Sequence, residues 1–222
     1  ALGAPHREVS FTVPTGNFGD IFAGYIAKRM GLPIDRLVIA TNQNDILHRA
    51  ITTGRYDTSI VEPTITPSMD IQVSSNFERA LFDAYDRDGY AIRRLMGELK
   101  QGGFGIEEEA LLTLQKYFDS GRATEKETSM IIKGMFEVTG EVLCPHTAVG
   151  VKVANENLGR APMITLATAH PAKFPDAVTA SVGIRPVLPS WLADLFDRSE
   201  RLTEMPNDLQ LMKTLVRERI KF

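Results

Sequence analysis

A chain of 222 residues with 43% hydrophobic and 24% charged residues has the make-up of an ordinary globular protein, with room for one large domain or two small ones. A formal net charge of −3 and the absence of a dense Lys/Arg run argue against a nucleic-acid or acidic-membrane partner, and no apolar stretch approaches the roughly 20 residues of a bilayer span. The single cysteine, Cys144, allows no intrachain disulfide, and the opening ALGAPHREVS has neither the basic start nor the apolar core of a secretory signal, which together point to the cytoplasm.

In chain order, Val9, Phe11 and Val13 alternate with Ser10 and Thr12 and predict a short strand that Pro14 ends. Ile21, Phe22, Tyr25, Ile26 and Met30 then recur at helical spacing, and Gly31 with Pro33 closes that helix. Between them lies Thr15-Gly16-Asn17-Phe18-Gly19-Asp20. A glycine-bracketed turn opening straight into a helix collects unpaired N–H groups in front of a positive helix end, a place for an anion. Gly16 and Gly19 can take positive φ there and let another group approach the main chain, which bulkier residues would obstruct. The spacing fits neither a P-loop nor a dinucleotide turn, so a single phosphate held by neutral backbone donors is the better fit, with a plain strand-to-helix turn as the alternative.

Arg36-Leu37-Val38-Ile39-Ala40 reads as a buried strand, followed by a helix through Ile46, Ala50 and Ile51 that Asp45 is expected to cap. This strand-helix order predicts a parallel sheet with the ligand beyond the carboxyl ends of its strands. Residues 61–75 read as an ordered loop. Helices are then expected from Asn76 (Phe77, Leu81, Tyr85), from Tyr90 (Ile92, Leu95, Met96, Leu99) and from Glu107 (Leu111, Leu114, Phe118). A capping box at Thr124 and Glu127 starts a helix with Ile131, Met135 and Val138 inward and Gly140 as its stop. A small-residue helix from Thr147 is expected to be buried, Pro162–Ala167 to form a core strand delivering Thr168, and Pro171 to start a helix. Stretches around Trp191–Phe196 and Leu209–Val216 are expected to be amphipathic helices covering the fold. The domain reading is 1–60 for strand-helix units with the phosphate loop, 61–140 for a loop and helical insertion or outer layer, and 141–222 for the remaining core strands and covering helices. Four histidines and one cysteine at scattered spacings make no metal-ligand pattern.

Five ordered runs, PTGNFGD (Pro14–Asp20), ATNQND (Ala40–Asp45), SMDIQVSSNFER (Ser68–Arg79), CPHTAVGV (Cys144–Val151) and ATAHPAKF (Ala167–Phe174), resemble the threonine synthase family. The resemblance implies an α/β fold with a parallel-rich sheet flanked by helices, the carboxyl-terminal part of a fold-type-II (tryptophan synthase β-like) pyridoxal-phosphate lyase. The activity implied is conversion of O-phospho-L-homoserine and water to L-threonine and phosphate, in threonine biosynthesis. It implies pyridoxal 5'-phosphate (PLP) as cofactor, its phosphate on the Gly16, Asn17, Phe18, Gly19 and Asp20 loop, and the Thr168 hydroxyl on its ring nitrogen.

Asp20 is expected to cap the helix rather than meet the phosphate, because two negative groups repel. Ser74, Ser75, Asn76 and Arg79 are candidates for the phosphorylated substrate, with a capped helix and a solvated arginine as the alternative. His146 and His170 have the ring chemistry of a base, but a lone histidine in a turn is more often a hydrogen-bonding or packing residue. The family's Schiff-base lysine lies in a Phe-Lys-Asp run upstream of the phosphate loop, and no such run occurs here. Lys173 follows the Thr168 anchor and is in the wrong order to serve. The chain therefore reads as the carboxyl-terminal half of an enzyme, inactive alone and partnered by the amino-terminal half. The competing readings are a non-catalytic PLP- or phosphate-binding module and another fold-type-II enzyme such as a threonine dehydratase or cysteine synthase.

Overall fold

The computed structural model describes residues 2–220. In chain order the elements are β1 (Val9–Pro14), α1 (Gly19–Arg29), β2 (Ile34–Thr41), α2 (Ile46–Thr53), β3 (Arg55–Asp57), α3 (Phe77–Ala84), α4 (Gly89–Leu99), β4 (Gly103–Gly105), α5 (Glu108–Gln115), β5 (Phe118–Arg122), α6 (Glu125–Thr139), α7 (Pro145–Glu156), β6 (Met163–Thr165), α8 (Pro175–Val182) and α9 (Leu209–Arg219). Four strands form one sheet in the order β5-β2-β1-β6, each neighbour pair parallel. This is the α/β architecture that the strand-helix alternation implies.

β1 is one of the two inner strands, and its alternation misleads about its surroundings. Ser10 and Thr12 are as buried as Val9 and Val13, whereas Phe11 is only partly buried. Helices cover both faces, so the polar positions are buried too and must be satisfied. Ser10 Oγ donates to Asp35 Oδ2 at 3.2 Å, and Thr12 Oγ1 to Met163 Sδ at 2.9 Å. β2 divides its side chains by the period-2 rule. Leu37 and Ile39 join the larger core with Ile21, Phe22, Tyr25, Ile46 and Leu47 of α1 and α2, while Val38 and Ala40 meet Val149 and Val153 of α7 on the opposite face.

Two glycines let α7 lie close against that second face. A Cβ on Gly150 would sit 2.7 Å from Thr165 Cγ2 and 3.1 Å from Pro14 Cγ, and one on Gly121 would sit 2.8 Å from Val153 Cγ1. The expected burial of this small-residue helix is observed: Ala148, Val149, Val153 and Ala154 are all buried. The capping box is present with both reciprocal bonds, Glu127 N–H to Thr124 Oγ1 and Thr124 N–H to Glu127 Oε2, and Gly140 terminates α6 at φ 76°.

Several expected details differ. Phe118 opens β5 instead of closing a helix, and Phe118-Asp119-Ser120-Gly121-Arg122 pairs with Leu37–Thr41 although it has no apolar run. Pairing to β2 supplies the strand geometry that the local sequence does not. On α6 the inward residues are Thr128 and Ile132, and Val138 is 85% exposed, so the buried face is rotated from the expected one. Asp45 occupies the N-cap position of α2 without capping, because Arg49 and Arg122 hold its carboxylate at 2.9 and 2.8 Å. Pro171 begins a three-residue 3-10 turn and α8 starts at Pro175, where the proline needs no N–H acceptor.

The chain divides into two compact units between Pro186 and Val187. In the second, the stretch around Trp191–Phe196 makes two 3-10 turns, Ser190–Leu192 and Leu195–Asp197, in place of the expected helix. A helix, α9, does form at Leu209–Arg219, without buried residues, and Asp208 caps it by accepting N–H bonds from Gln210 and Leu211. Among the described residues no helix is long and apolar enough to cross a membrane.

Candidate functional site

The loop that joins β1 to α1 lies beyond the carboxyl end of that inner strand. Thr15 N–H extends the pairing to Ala40 O at 2.8 Å, and Thr15 Oγ1 closes on Val13 O at 2.6 Å. The chain then turns through Gly16 and Asn17 into Phe18, the N-cap of α1, at φ 67°. The left-handed residue is thus Phe18, and neither Gly16 nor Gly19 takes positive φ. A side chain in that region costs about 1–2 kcal/mol. Full burial of a phenylalanine returns about 1.5–3 kcal/mol, and the Phe18 ring is 1% exposed, edge-on to Phe77 at 5.2 Å and to Phe118 at 5.3 Å.

Gly16 is required for the expected close approach to its main chain, not for φ. A Cβ there would lie 2.5 Å from the carbonyl oxygen of Ser68, so the loop and the Ser68 turn can meet only over a bare Cα. At Gly19 the nearest atom to such a Cβ, Asn76 Nδ2, would be at 3.8 Å, an ordinary contact.

Two carbonyls of the loop are held from behind. Ser74 Oγ donates to Gly16 O at 2.8 Å, and Asn76 donates to Asn17 O from both Nδ2, at 2.9 Å, and its backbone N–H, at 3.1 Å. A trans peptide points its N–H opposite to its C=O. The N–H groups of Asn17 and Phe18 therefore face away from Ser74 and Asn76, and residues 14–21 line a cavity of about 210 Å³. From Gly16 to Ile21 every backbone N–H lacks an acceptor among the described residues, and the ladder of α1 begins with Phe22 N–H to Phe18 O at 3.0 Å. Neutral donors fanned in front of a helix N-terminus suit a phosphate monoester, and the cavity has space for one. Ser74→Ala removes one of the restraints on this fan. Anion affinity is expected to fall about threefold to tenfold, the equivalent of one hydrogen bond, measurable by titration with PLP.

The support behind the loop is itself tightly built. Asn42 Nδ2 donates to Thr64 Oγ1, Thr66 Oγ1 and Asp70 Oδ1 at 3.0, 2.9 and 2.7 Å. Thr64 gives both its N–H and its hydroxyl to Asp70, each at 2.7 Å, and Asn44 Nδ2 adds a bond to Asp70 at 3.1 Å. These contacts tie residues 64–70 to the end of β2 and carry Ser68 to Gly16. ATNQND and SMDIQVSSNFER thus meet in space, one as anchor and the other as the anchored segment.

Thr168 lies on the neighbouring strand's exit. β6 pairs with β1 in register, Thr12 opposite Thr165, and Leu166 N–H reaches Thr12 O at 3.0 Å. Thr168 then follows three residues beyond Thr165, as Thr15 does beyond Thr12, and it is exposed. Adjacent strands are about 4.8 Å apart, so the segments leading to Thr168 and to the Gly16–Asp20 loop leave the sheet side by side.

Asp20 does not cap α1. It stands in the helix's first turn, is exposed, and lines the loop cavity. Ser75 is exposed, and Asn76 sits at the N-cap position of α3 with its amide committed to Asn17 rather than to its own helix. Arg79 stacks on Phe22, with its guanidinium carbon 4.3 Å from the ring centre, and lines a separate cavity of about 550 Å³ with Phe82, Arg87 and Arg93. Ser74, expected from sequence to face the substrate, instead has its hydroxyl on Gly16 O and orients the loop from behind. His170 caps the turn after Thr168 by accepting Ala172 N–H at Nδ1, 3.2 Å, and Lys173 is exposed. Among the described residues no His/Cys/Asp/Glu cluster could hold a metal ion.

Proteins similar to this chain include threonine synthases. Residues 147–216 match the family model described as threonine synthase, C-terminal. The chain is 50% identical over 219 residues to the threonine synthase of Pseudomonas aeruginosa, covering 97% of this chain and 47% of that protein. Among solved structures it superposes with TM-score 0.91 and 57% identity on a threonine synthase from Brucella melitensis described as PLP-bound, covering 98% of this chain and 47% of the other. With the yeast threonine synthase the TM-score is 0.83 and the identity 40%, covering 95% and 47%. The chain spans about half the length of the curated relatives it matches.

Proposed function

We propose, for a chain that belongs to the threonine synthase family and matches the carboxyl-terminal half of its members, that it holds the cofactor phosphate of a PLP-dependent enzyme converting O-phospho-L-homoserine and water to L-threonine and phosphate. The observation that carries this reading is the run of acceptorless N–H groups from Gly16 to Ile21, whose neighbouring carbonyls at Gly16 and Asn17 are turned onto Ser74 and Asn76. When bound, PLP supplies an electron sink that acidifies C–H bonds of an attached amino acid, which is the chemistry needed to expel a γ-phosphate and add water at Cβ.

Gly16, Asn17, Phe18 and Gly19 grip the phosphate through main-chain N–H groups, with the end of α1 behind them. Asp20 belongs to the loop and lines the same cavity, but as a carboxylate it contributes no hydrogen-bond donor to the anion, since like charges repel. Thr168 offers a neutral hydroxyl to the ring nitrogen. Such a partner does not hold that nitrogen protonated, so it sets a weaker electron sink than a carboxylate would. Ser75 and Arg79 serve the substrate, and Asn76 serves it indirectly by orienting Asn17. Arg79 is held over Phe22 beside a separate cavity, so it reaches the substrate's phosphate only by leaving that ring. The lone cysteine fits a reducing, cytoplasmic setting.

No Phe-Lys-Asp run is present, so turnover requires the amino-terminal half of the same enzyme. The test is to incubate O-phospho-L-homoserine and PLP with this chain and, separately, with the protein carrying both halves, and to assay phosphate and threonine. Equimolar release by the longer protein, and cofactor uptake without release by this chain, are expected. A longer protein that takes up PLP but releases neither product would mark a non-catalytic binding module.

A further inference from the structure

One buried titratable ring behind the loop is only half used. His146, the second residue of α7, is 3% exposed. Its Nε2 accepts the backbone N–H of Ser68 at 3.3 Å, whereas Nδ1 is buried without a partner among the described residues. A nitrogen that accepts carries no proton, so the neutral ring holds its proton on Nδ1.

The ring is fixed in place on both sides. It packs against Phe174 with centroids 4.7 Å apart, and α7 is pressed to the sheet at Gly150. Ser68 in turn sits in a tight turn closed by Met69 N–H to Thr66 O at 2.8 Å and Asp70 N–H to Pro67 O at 3.2 Å. Its carbonyl is the atom that bars a Cβ at Gly16.

We propose that His146, as the Nδ1–H tautomer, is a positioning residue: it fixes Ser68, and through the Ser68 carbonyl it fixes the Gly16–Asp20 loop against its ligand. Its functional consequence rests on the reading of that loop as a phosphate cradle. His146 is no general base, because its free nitrogen is buried in protein and its other nitrogen is engaged.

The charged groups that bear on the ring are Lys173, from the turn after β6, and Asp70, from the loop. Burial first, and Lys173 second, push the imidazole below its ordinary value, against Asp70. The neutral form is therefore the folded form at neutral pH. A group with a lowered folded pKa contributes stability that is complete above its unfolded pKa of about 6.5 and is lost as pH falls through its folded value. Protonation would set an Nε2–H against Ser68 N–H and release the turn.

The test reads ¹⁵N signals of the His146 ring and of the Gly16 and Asn17 amides in the purified chain, in wild type and two variants. A glutamine amide extends to the place of Nε2, and an asparagine amide only to that of Nδ1. In wild type the ring shows the Nδ1–H pattern at pH 8, and below pH 6.5 the Gly16 and Asn17 amides move together with it. His146→Gln keeps both amides and the PLP affinity near wild type, while His146→Asn shifts the amides and weakens PLP about tenfold. An Nε2–H ring at pH 8, loop amides that ignore its titration, or equal behaviour of the two variants overturns the proposal. A wild-type chain that takes up no PLP instead overturns the functional reading, and the amide comparison still decides this one.

Discussion

Gly16→Ala is expected to weaken PLP binding about tenfold to hundredfold and to lower stability by about 1–3 kcal/mol, the usual cost of an overpacked position. The added Cβ would meet Ser68 O at 2.5 Å, and that oxygen belongs to the backbone, so no rotamer change removes the clash. The Ser68 turn cannot retreat without stretching its bond to His146 and straining the Asn42, Thr64 and Asp70 contacts on either side of Met69. The loop must move instead, and the fan of N–H groups moves with it. Gly134→Ala is the matched control: its Cβ meets nothing within 4 Å, and in mid-helix it should gain up to ~1 kcal/mol with PLP affinity unchanged. Titration with PLP and thermal unfolding of both variants check the pair. A Gly16→Ala protein as tight as wild type would mean that the Ser68 contact does not shape the site.

Phe18→Ala is expected to cost about 3–5 kcal/mol, the range for removing a buried aromatic ring. The ring joins α1, α3 and β5, since it touches Phe77 and Phe118, and Phe77 in turn stacks on Tyr56 at 5.4 Å. Its backbone is also left-handed at φ 67°. Two effects are therefore mixed, and a second substitution separates them. Phe18→Gly loses the same ring but relieves about 1–2 kcal/mol of left-handed strain, so it should be the more stable of the two variants in urea denaturation. Losses below about 1 kcal/mol in both would show that the ring is not holding the loop's entry into α1.

The strand-turn-helix at the start, the buried α7 and the capping box were legible because each rests on local rules: periodicity, small residues, and a Thr-x-x-Glu spacing. β5 was not legible, since Phe118-Asp119-Ser120-Gly121-Arg122 gains strand geometry from its partner Leu37–Thr41 rather than from its own residues. The same non-local logic explains Asp45, a good capping type that Arg49 and Arg122 claim for an ion pair. At the loop, sequence located the N–H donors and the close approach at Gly16, but offered only the glycines as places for positive φ. Burial of the Phe18 ring between elements far apart in sequence moved it to residue 18. The residues that orient the loop from behind, Ser74, Asn76 and His146, act through contacts at sequence separations of 58 to 78, which no window on a single chain reveals.

The most direct measurement is a ¹H–¹⁵N amide titration of the chain with PLP. The amides from Gly16 to Ile21 are expected to shift first and most, with Thr168 shifting alongside them, while the outer helix α4 stays still. Shifts confined to other residues, with the amides from Gly16 to Ile21 unmoved at saturation, would contradict the assignment of this loop as the phosphate site.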